Sequence, residues 1–520
     1  MDIFLLNFNF LIFIAYFYKK LRHGLHILQL ESYFDSRYLK WIKNNLKKVF
    51  KIKEIILLLI LILITFLNLK LGLMLNIFSY IVLSLLFRRK KEKKPFVITS
   101  RIKRMYITFL IILTVIVIIL NNIKIQYSIV VMNICIILAY LFVCIINFIN
   151  MPVEKAIKLK FILSAKKKLK ENEDLKVVGI TGSFGKTSTK HIVEAILSKK
   201  YHTLMTPESY NTTMGVVRTI NEKLLSTHNL FICEMGAKNI GDIKEICDIV
   251  NPDYGIITAI GPQHLDTFKS IENVAKTKLE LVDSLPKENG IAFLNWEDEN
   301  VRNQKIDKSC VKFGLSKEAD YYAENIEITE FGSIFNVVLP SKEKILIKTK
   351  LLGKLNILNI VGAVAIADKL GLNAEQIKAG AKLIKPVEHR LQLKQNANGS
   401  IIIDDAYNSN IKGAKMAVEV LSEFKTRKKI LITPGIVDLG EKQYEINKEL
   451  GKYAANKCDY IILVGEKQAG PINDGLIEEK HPEDKKYIAK NLEEALAKMN
   501  QIIDNNSVIL LENDLPDNYL

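Results

Sequence analysis

Cysteine is scarce: the chain has six in 520 residues (Cys135, Cys144, Cys233, Cys247, Cys310 and Cys458), with no CxxC pair and no histidine-rich spacing beside them. That argues against a disulfide framework or a zinc ribbon and leaves reduced, mostly buried thiols in a cytosolic setting. Acidic residues are nearly missing from the first 150 positions, which hold 21 Lys and Arg against five Asp and Glu. That segment carries +16 of the net charge of +17, so the rest of the chain is close to neutral. A basic excess confined to one segment belongs to membrane topology, and nucleic acid is excluded as a partner. There is no internal repeat and no low-complexity linker. The length fits roughly three domains.

Long apolar runs fill the acid-poor segment, at about 3–18, 55–69, 71–87, 105–120 and 126–149. Most approach the roughly 17 to 25 residues that cross about 30 Å of hydrocarbon, and a cleaved signal peptide accounts for only the first. We expect about five spans over residues 1–150. Ten Lys and Arg lie in 19–53 and nine in 88–104, while the connections near Lys70 and Lys124 carry one each. The positive-inside bias then makes the two rich segments cytoplasmic and the N-terminus external, a multi-pass cell-membrane protein with everything after about residue 150 in the cytoplasm. Residues 31–50 mix Tyr33, Phe34, Tyr38, Trp41 and Phe50 with lysines, as an interfacial helix or a plain loop would.

A basic connector (151–175) leads into apolar runs that alternate with helical patterns: LKVVGIT, HTLMT, NLFICEMG, YGIITAI and GIAFLN. The alternation predicts a parallel sheet with helices on both faces, an α/β domain over 176–386. Residues 325–352 read as antiparallel hairpins inserted near its end. A second set, SIIIDDAYN, KILITPGI, YIILVG and SVILLEN, predicts a smaller Rossmann-like domain over 387–520.

In "VVGITGSFGKTSTKHIVEAIL", beginning at Val177, a strand runs into a glycine-rich turn and then a helix. Gly182, Ser183 and Gly185 would let backbone N–H groups face phosphate oxygens at a helix N-terminus. Lys186 would reach the terminal phosphates, and the Thr187 hydroxyl would bind Mg2+, with Ser188 completing the contact. Ile180 stands where the general GxxxxGK[ST] pattern has its first glycine.

"GITGSFGKTST" resembles the signature of the ATP-dependent Mur ligases, and the resemblance continues through four more ordered motifs to near Asn410. In "FICEMGAKNIGDI", it implies that Glu234 binds magnesium. In "IITAIGPQHLDTFKSIENVAKTKLEL", it implies that His264 binds a second magnesium and that Lys278 becomes carbamoylated. "GKLNILNIVGAVAIA" resembles the adenine-site motif, where Leu355 replaces the usual histidine and Asn356 is the better candidate beside Asn359. Arg390, in "VEHRLQLK", stands where the family keeps a phosphate-contacting arginine, although His389 replaces a glycine. Asp405, in "IIIDDAYNSN", is the implied ribose contact. Together these imply a P-loop central domain and a Rossmann-like C-terminal domain behind a helical membrane region.

The implied chemistry suits these side chains. Attack on ATP by a carboxylate gathers several negative charges, which divalent ions held by Thr187, Glu234 and His264 would neutralise. A cationic lysine would be repelled there, whereas carbamoylated Lys278 is a carboxylate equivalent. Within the family, "CEMGAKNIGDI", "DDAYNSN" and "GPQHLDTF" are most similar to the branch that adds D-alanyl-D-alanine to a UDP-muramoyl tripeptide, a step of peptidoglycan precursor synthesis. The expected partners are that precursor, an amino acid or dipeptide, the membrane and other wall enzymes. Two departures stand out: no soluble UDP-gripping domain precedes the loop, and "VILLENDLPDNY" lacks the Lys-Gly-Ser pattern, with no DNPR-like acceptor motif elsewhere. A lipid-linked carboxylate substrate, a folate-like or polyamide chain, and a non-catalytic scaffold for wall enzymes remain as other readings.

Overall fold

The computed structural model describes residues 2–87, 95–208, 210–329, 332–406, 410–437 and 439–513. Part of the second basic segment (88–94), the YNS of DDAYNSN (407–409) and the end of the C-terminal motif (514–520) lie outside them. Two compact units emerge, Met1–Leu159 and Lys160–Leu520.

The first unit is helical. Its long apolar segments leave the backbone little option but internal hydrogen bonding, which a helix supplies within one segment. By length and composition four helices can cross a membrane: Phe4–Leu30, Leu69–Leu86, Ser100–Leu120 and Ala139–Lys170. Among the described residues this is one fewer than five, and the run that falls short is the second. The run at 55–69 forms the 16-residue helix Ile52–Leu67, which stops at Asn68, whose side chain caps the next helix through Leu71 N. The run at 126–149 breaks at Leu138 between Ile125–Ile137 and Ala139–Lys170. Near the break Lys20 Nζ donates to Ile136 O at 2.9 Å and to Glu54 Oε1 at 2.8 Å. Tyr80, Asn133 and Asn76 form a second buried polar chain, with bonds of 2.9 and 3.2 Å. The aromatic and lysine mixture at 31–50 folds as the helices Asp35–Asn44 and Leu46–Val49. Tyr38, Ile42 and Val49 are buried in the bundle core while Lys40, Lys43, Lys47 and Lys48 are exposed.

The second unit contains two sheets. The first consists of β1 (Lys176–Thr181), β2 (Thr203–Met205), β3 (Leu230–Glu234), β4 (Tyr254–Ile257), β5 (Ile291–Asn295), β6 (Cys310–Gly314), β7 (Tyr321–Thr329), β8 (Gly332–Val338) and β9 (Lys344–Thr349). Their order is β2-β3-β1-β4-β5-β6-β7-β8-β9. Pairing is parallel as far as β7 and antiparallel from β7 to β9. The hairpins thus extend the sheet's edge instead of forming a separate insertion. The second sheet consists of β10 (Gln392–Gln395), β11 (Ile401–Asp405), β12 (Lys428–Thr433), β13 (Tyr460–Val464), β14 (Lys486–Ala489) and β15 (Ser507–Glu512). Its order is β10-β11-β15-β12-β13-β14, all parallel except β10.

Packing positions the glycine-rich turn. β1 and β3 are buried almost throughout, as the central strands of a sheet covered on both faces must be. The helix Lys354–Lys369 is apolar all round and buried from Asn356 to Ala367, and it shares its core with Ile192, Val193 and Ile196 of the helix Lys186–Leu197. The turn at 182–185 therefore sits at the C-terminal ends of parallel strands, where open α/β sheets place ligands.

Candidate active site

Two glycines shape the turn. Gly182 has φ 152°, and a Cβ there would lie 2.1 Å from Thr258 Oγ1. Gly185, the N-cap of the helix Lys186–Leu197, has φ 80°, in the left-handed region that favours glycine. The turn is held to the loop after β4: Ser183 N donates to Ala259 O at 2.8 Å, Gly261 N donates to Ser183 Oγ at 3.0 Å, and Thr258 Oγ1 donates to Phe184 O at 2.5 Å. The first N–H groups of the helix, from Lys186 through Ser188, have no intrahelical carbonyl and carry the positive end of its dipole. Lys186 Nζ donates to Gly182 O at 2.6 Å. Burial, with Arg390 adding to it, lowers Lys186 to about 8 against the opposing pull of Glu234.

Thr187 and Glu234 meet. Thr187 Oγ1 donates to Glu234 Oε1 at 3.1 Å, Asn211 Nδ2 donates to the same oxygen at 3.0 Å, and Lys190 Nζ stands 3.0 Å from Oε2. Glu234 N donates to Thr206 Oγ1 at 3.1 Å. Burial opposes the charge on Glu234, but Lys190, Lys186 and Asn211 outweigh it and hold the carboxyl below the ordinary range. Lys278, in the helix Ile271–Asp283, is 1% exposed, and burial pushes it down to about 7, with Lys186 nearby lowering it further. At neutral pH a large share of it is a free amine, the form that combines with CO2. His264 caps the short helix Leu265–Phe268 with φ 49°. Among the described residues no three His, Cys, Asp or Glu side chains gather into a ready-made ion cage.

The two asparagines of the helix Lys354–Lys369 are placed differently from one another. Asn356 Nδ2 donates to Leu352 O at 2.8 Å, which ties its amide to the start of its own helix. Asn359 reaches the phosphate turn: its Oδ1 lies 3.2 Å from where a Gly185 Cβ would be, and its buried Nδ2 has no hydrogen-bond partner. Arg390 is close enough to influence both Lys186 and Asp405. Burial raises Asp405 to about 6 against the pull of Arg390 and a bond from Leu391 N. Its neighbour Asp404 is the opposite case: burial is overcome by Lys394 at 2.5 Å and His389 at 2.9 Å, which hold it low. Lys412 Nζ bonds Asp298 Oδ2 at 3.0 Å, linking the helix after β11 to the loop after β5.

These residues fit a magnesium nucleotide. The glycines clear a cradle that a Cβ would fill, the helix N-terminus supplies donors, and Asn359 presents an unpaired amide. Thr187 and Glu234 offer two hard oxygens 3.1 Å apart, the small protein ligand set that suits an ion completed by phosphate and water. Sequence reasoning missed Lys190, Asn211 and Thr206. For Lys190 a signal existed: it lies three residues after Thr187 in a helix, hence on the same face.

The family description "Mur ligase middle domain" matches residues 180–367, and "Mur ligase, glutamate ligase domain" matches 389–512. A UDP-N-acetylmuramoyl-tripeptide--D-alanyl-D-alanine ligase of Escherichia coli K12 is 31% identical over 332 residues, which span 63% of this chain and 72% of the relative. The Bacillus subtilis enzyme of that name is 27% identical over 292 residues, spanning 56% of this chain and 63% of its own length. Among solved structures, MurF from Acinetobacter baumannii superimposes with a TM-score of 0.61 at 26% identity, covering 68% of this chain and 77% of that one. MurF from Thermotoga maritima in complex with ADP gives 0.62 at 24%, over 69% and 80%, a likeness of fold.

Proposed function

Since the chain belongs to the Mur ligase family, and is an ATP-dependent, ADP-forming ligase, we propose that it joins D-alanyl-D-alanine to the carboxylate of a muramoyl peptide in peptidoglycan precursor synthesis. The observation that carries the reading is the meeting of Thr187 and Glu234 beside the glycine turn. The names of its relatives supply the substrate class. Magnesium, held by Thr187 and Glu234 with His264 and carbamoylated Lys278 near a second ion, would neutralise phosphate charge and withdraw electrons from the transferred phosphoryl group. The chain's own part is placement. N–H groups of Lys186 to Ser188 cradle the phosphates, Lys186 and Arg390 hold positive charge against them, Asn359 with Asn356 faces the base, and Asp405 takes the ribose hydroxyls. The substrate carboxylate accepts the γ-phosphoryl group to give an acyl phosphate. The amine then displaces phosphate.

The helical unit is proposed to lie in the cell membrane, with the ligase domains (176–386 and 387–520, after the connector 151–175) on the cytoplasmic side. Charge decides the number of crossings. If Ile52–Leu67 did not cross, the nine Lys and Arg of 88–104 would face the side opposite the ten of 19–53. The positive-inside bias thus favours a fifth, short crossing, and 16 residues at about 1.5 Å each are only a few ångströms short of the hydrocarbon. Because such a unit stands at the membrane, a lipid-linked muramoyl peptide is the second reading for the substrate. Both are tested by offering UDP-linked and lipid-linked muramoyl peptides with D-alanyl-D-alanine or single amino acids, and weighing the products. Ligation only of glutamate to a folate-like chain would overturn both.

A further inference from the structure

Lys190 is a fully buried charged side chain that the proposed chemistry leaves unused. It lies in the helix Lys186–Leu197. Its Nζ makes two contacts: Glu234 Oε2 at 3.0 Å and the backbone oxygen of Glu208 at 2.5 Å. Glu208 stands in the loop after β2 with φ 39°, and Asn211, from the same loop, holds the other oxygen of Glu234. Glu234 thus has a hydroxyl and an amide on one oxygen, while the other has no hydrogen bond and faces the Lys190 ammonium 3.0 Å away.

A buried ammonium at that distance does what a divalent ion would do, neutralising the carboxylate, and it repels any second cation brought to the same group. Lys186 adds a second positive charge close to Glu234. Among the described residues no three His, Cys, Asp or Glu side chains gather around it into an ion cage. A free divalent cation thus meets one carboxylate already shared with two lysines. The phosphates of a nucleotide, arriving at the glycine turn, supply the negative charge that the protein lacks. We propose that Lys190 is a built-in counter-ion that closes Glu234 to free divalent cations, so that the metal enters only together with the nucleotide. Lys190 is then a positioning residue: it touches neither substrate nor phosphate and acts through Glu234. This rests on the reading of Glu234 and Thr187 as metal ligands.

The test measures Mn2+ binding to the full-length protein in detergent by electron paramagnetic resonance, with and without ADP. Wild type should bind Mn2+ at least about a hundredfold more weakly without ADP than with it, because both lysines oppose the lone ion. Lys190→Met should tighten nucleotide-free binding by about tenfold or more while changing the ADP complex little, and Lys190→Arg should keep the wild-type pattern. A folded Lys190→Met that binds free Mn2+ no better than wild type overturns the proposal, as do equal wild-type affinities with and without ADP. If Lys190→Met does not fold, Lys190→Gln is held to the same outcome, and the wild-type comparison stands regardless. Glu234→Gln separates the two layers. Loss of Mn2+ from its ADP complex upholds the ligand reading, whereas unchanged binding sinks that reading and the Lys190 proposal together.

Discussion

Lys278 is buried in the helix Ile271–Asp283, within electrostatic reach of Lys186. Its candidacy came from its place within an ordered motif, but nothing in the motif says that it is 1% exposed and lowered to about 7. That perturbation needs the apolar surroundings of its helix, contributed by segments far away in the chain. If it is carbamoylated to support an ion, Lys278→Ala should lose most of its activity and recover part of it with a short carboxylate such as formate or acetate. Full activity in the alanine variant would refute the role. Asp405 gives a pH signature. Its value of about 6 lies above the ordinary ~3.9 of an unfolded chain, so its contribution to stability is present in acid and lost as pH rises through about 6. Function runs the other way, because the ionised carboxylate is the better acceptor for ribose hydroxyls. The KM for ATP should therefore rise as pH falls through about 6, and Asp405→Asn should remove that dependence; an unaltered profile in the variant would count against the ribose contact.

At the level of elements, the strands with long uninterrupted apolar runs were legible: β1, β3, β4 and β5 in the first sheet and β11, β12, β13 and β15 in the second. β6 (CVKFG) and β14 (KYIA) were not, since a lysine interrupts the one and opens the other, leaving no apolar run beyond two residues or three. β10 (QLKQ) is polar along most of its length and pairs at the sheet edge, where burial imposes no pattern. The asparagine choice failed to resolve for a similar reason: a helix buried on every side offers no amphipathic stripe to say which of Asn356 and Asn359 faces the turn. The turn itself makes a sharp prediction. Gly182→Ala forces a Cβ to 2.1 Å from Thr258 Oγ1, so a loop shift costing about 1–3 kcal/mol should follow, with loss of ATP binding. Gly470→Ala, in the helix Glu466–Glu478 with open space beyond its chain neighbours, should keep wild-type activity and change stability by less than about 1 kcal/mol, because the helix-propensity gain is opposed by the following Pro471. Calorimetric nucleotide titration and denaturant unfolding of both variants decide this.

The whole molecule joins a family ligase to a helical unit, and the two were legible to different degrees. Ordered motifs spread over some 230 residues mark the ligase unambiguously, because each demands a particular side chain at a particular place. The helical unit follows from hydropathy alone, which counts apolar residues but does not foresee the stop at Asn68 or the break at Leu138. Its proposed benefit is effective concentration, since confinement at the bilayer makes repeated encounters with a membrane-bound precursor nearly intramolecular. A chain beginning near Met151 should then ligate a soluble UDP-linked peptide with kcat/KM unchanged if the helices only anchor the enzyme. Failure with that substrate where the full-length protein succeeds would make the helical unit part of substrate handling.

The most direct test of the central claim follows oxygen atoms through one turnover. Full-length protein is supplied with ATP, magnesium, D-alanyl-D-alanine and a muramoyl tripeptide labelled with 18O in its acceptor carboxylate. Activation by phosphoryl transfer predicts ADP, a pentapeptide product and one 18O per inorganic phosphate released. Label recovered in AMP, or ADP formed with no label in phosphate and no ligated product, would contradict the account.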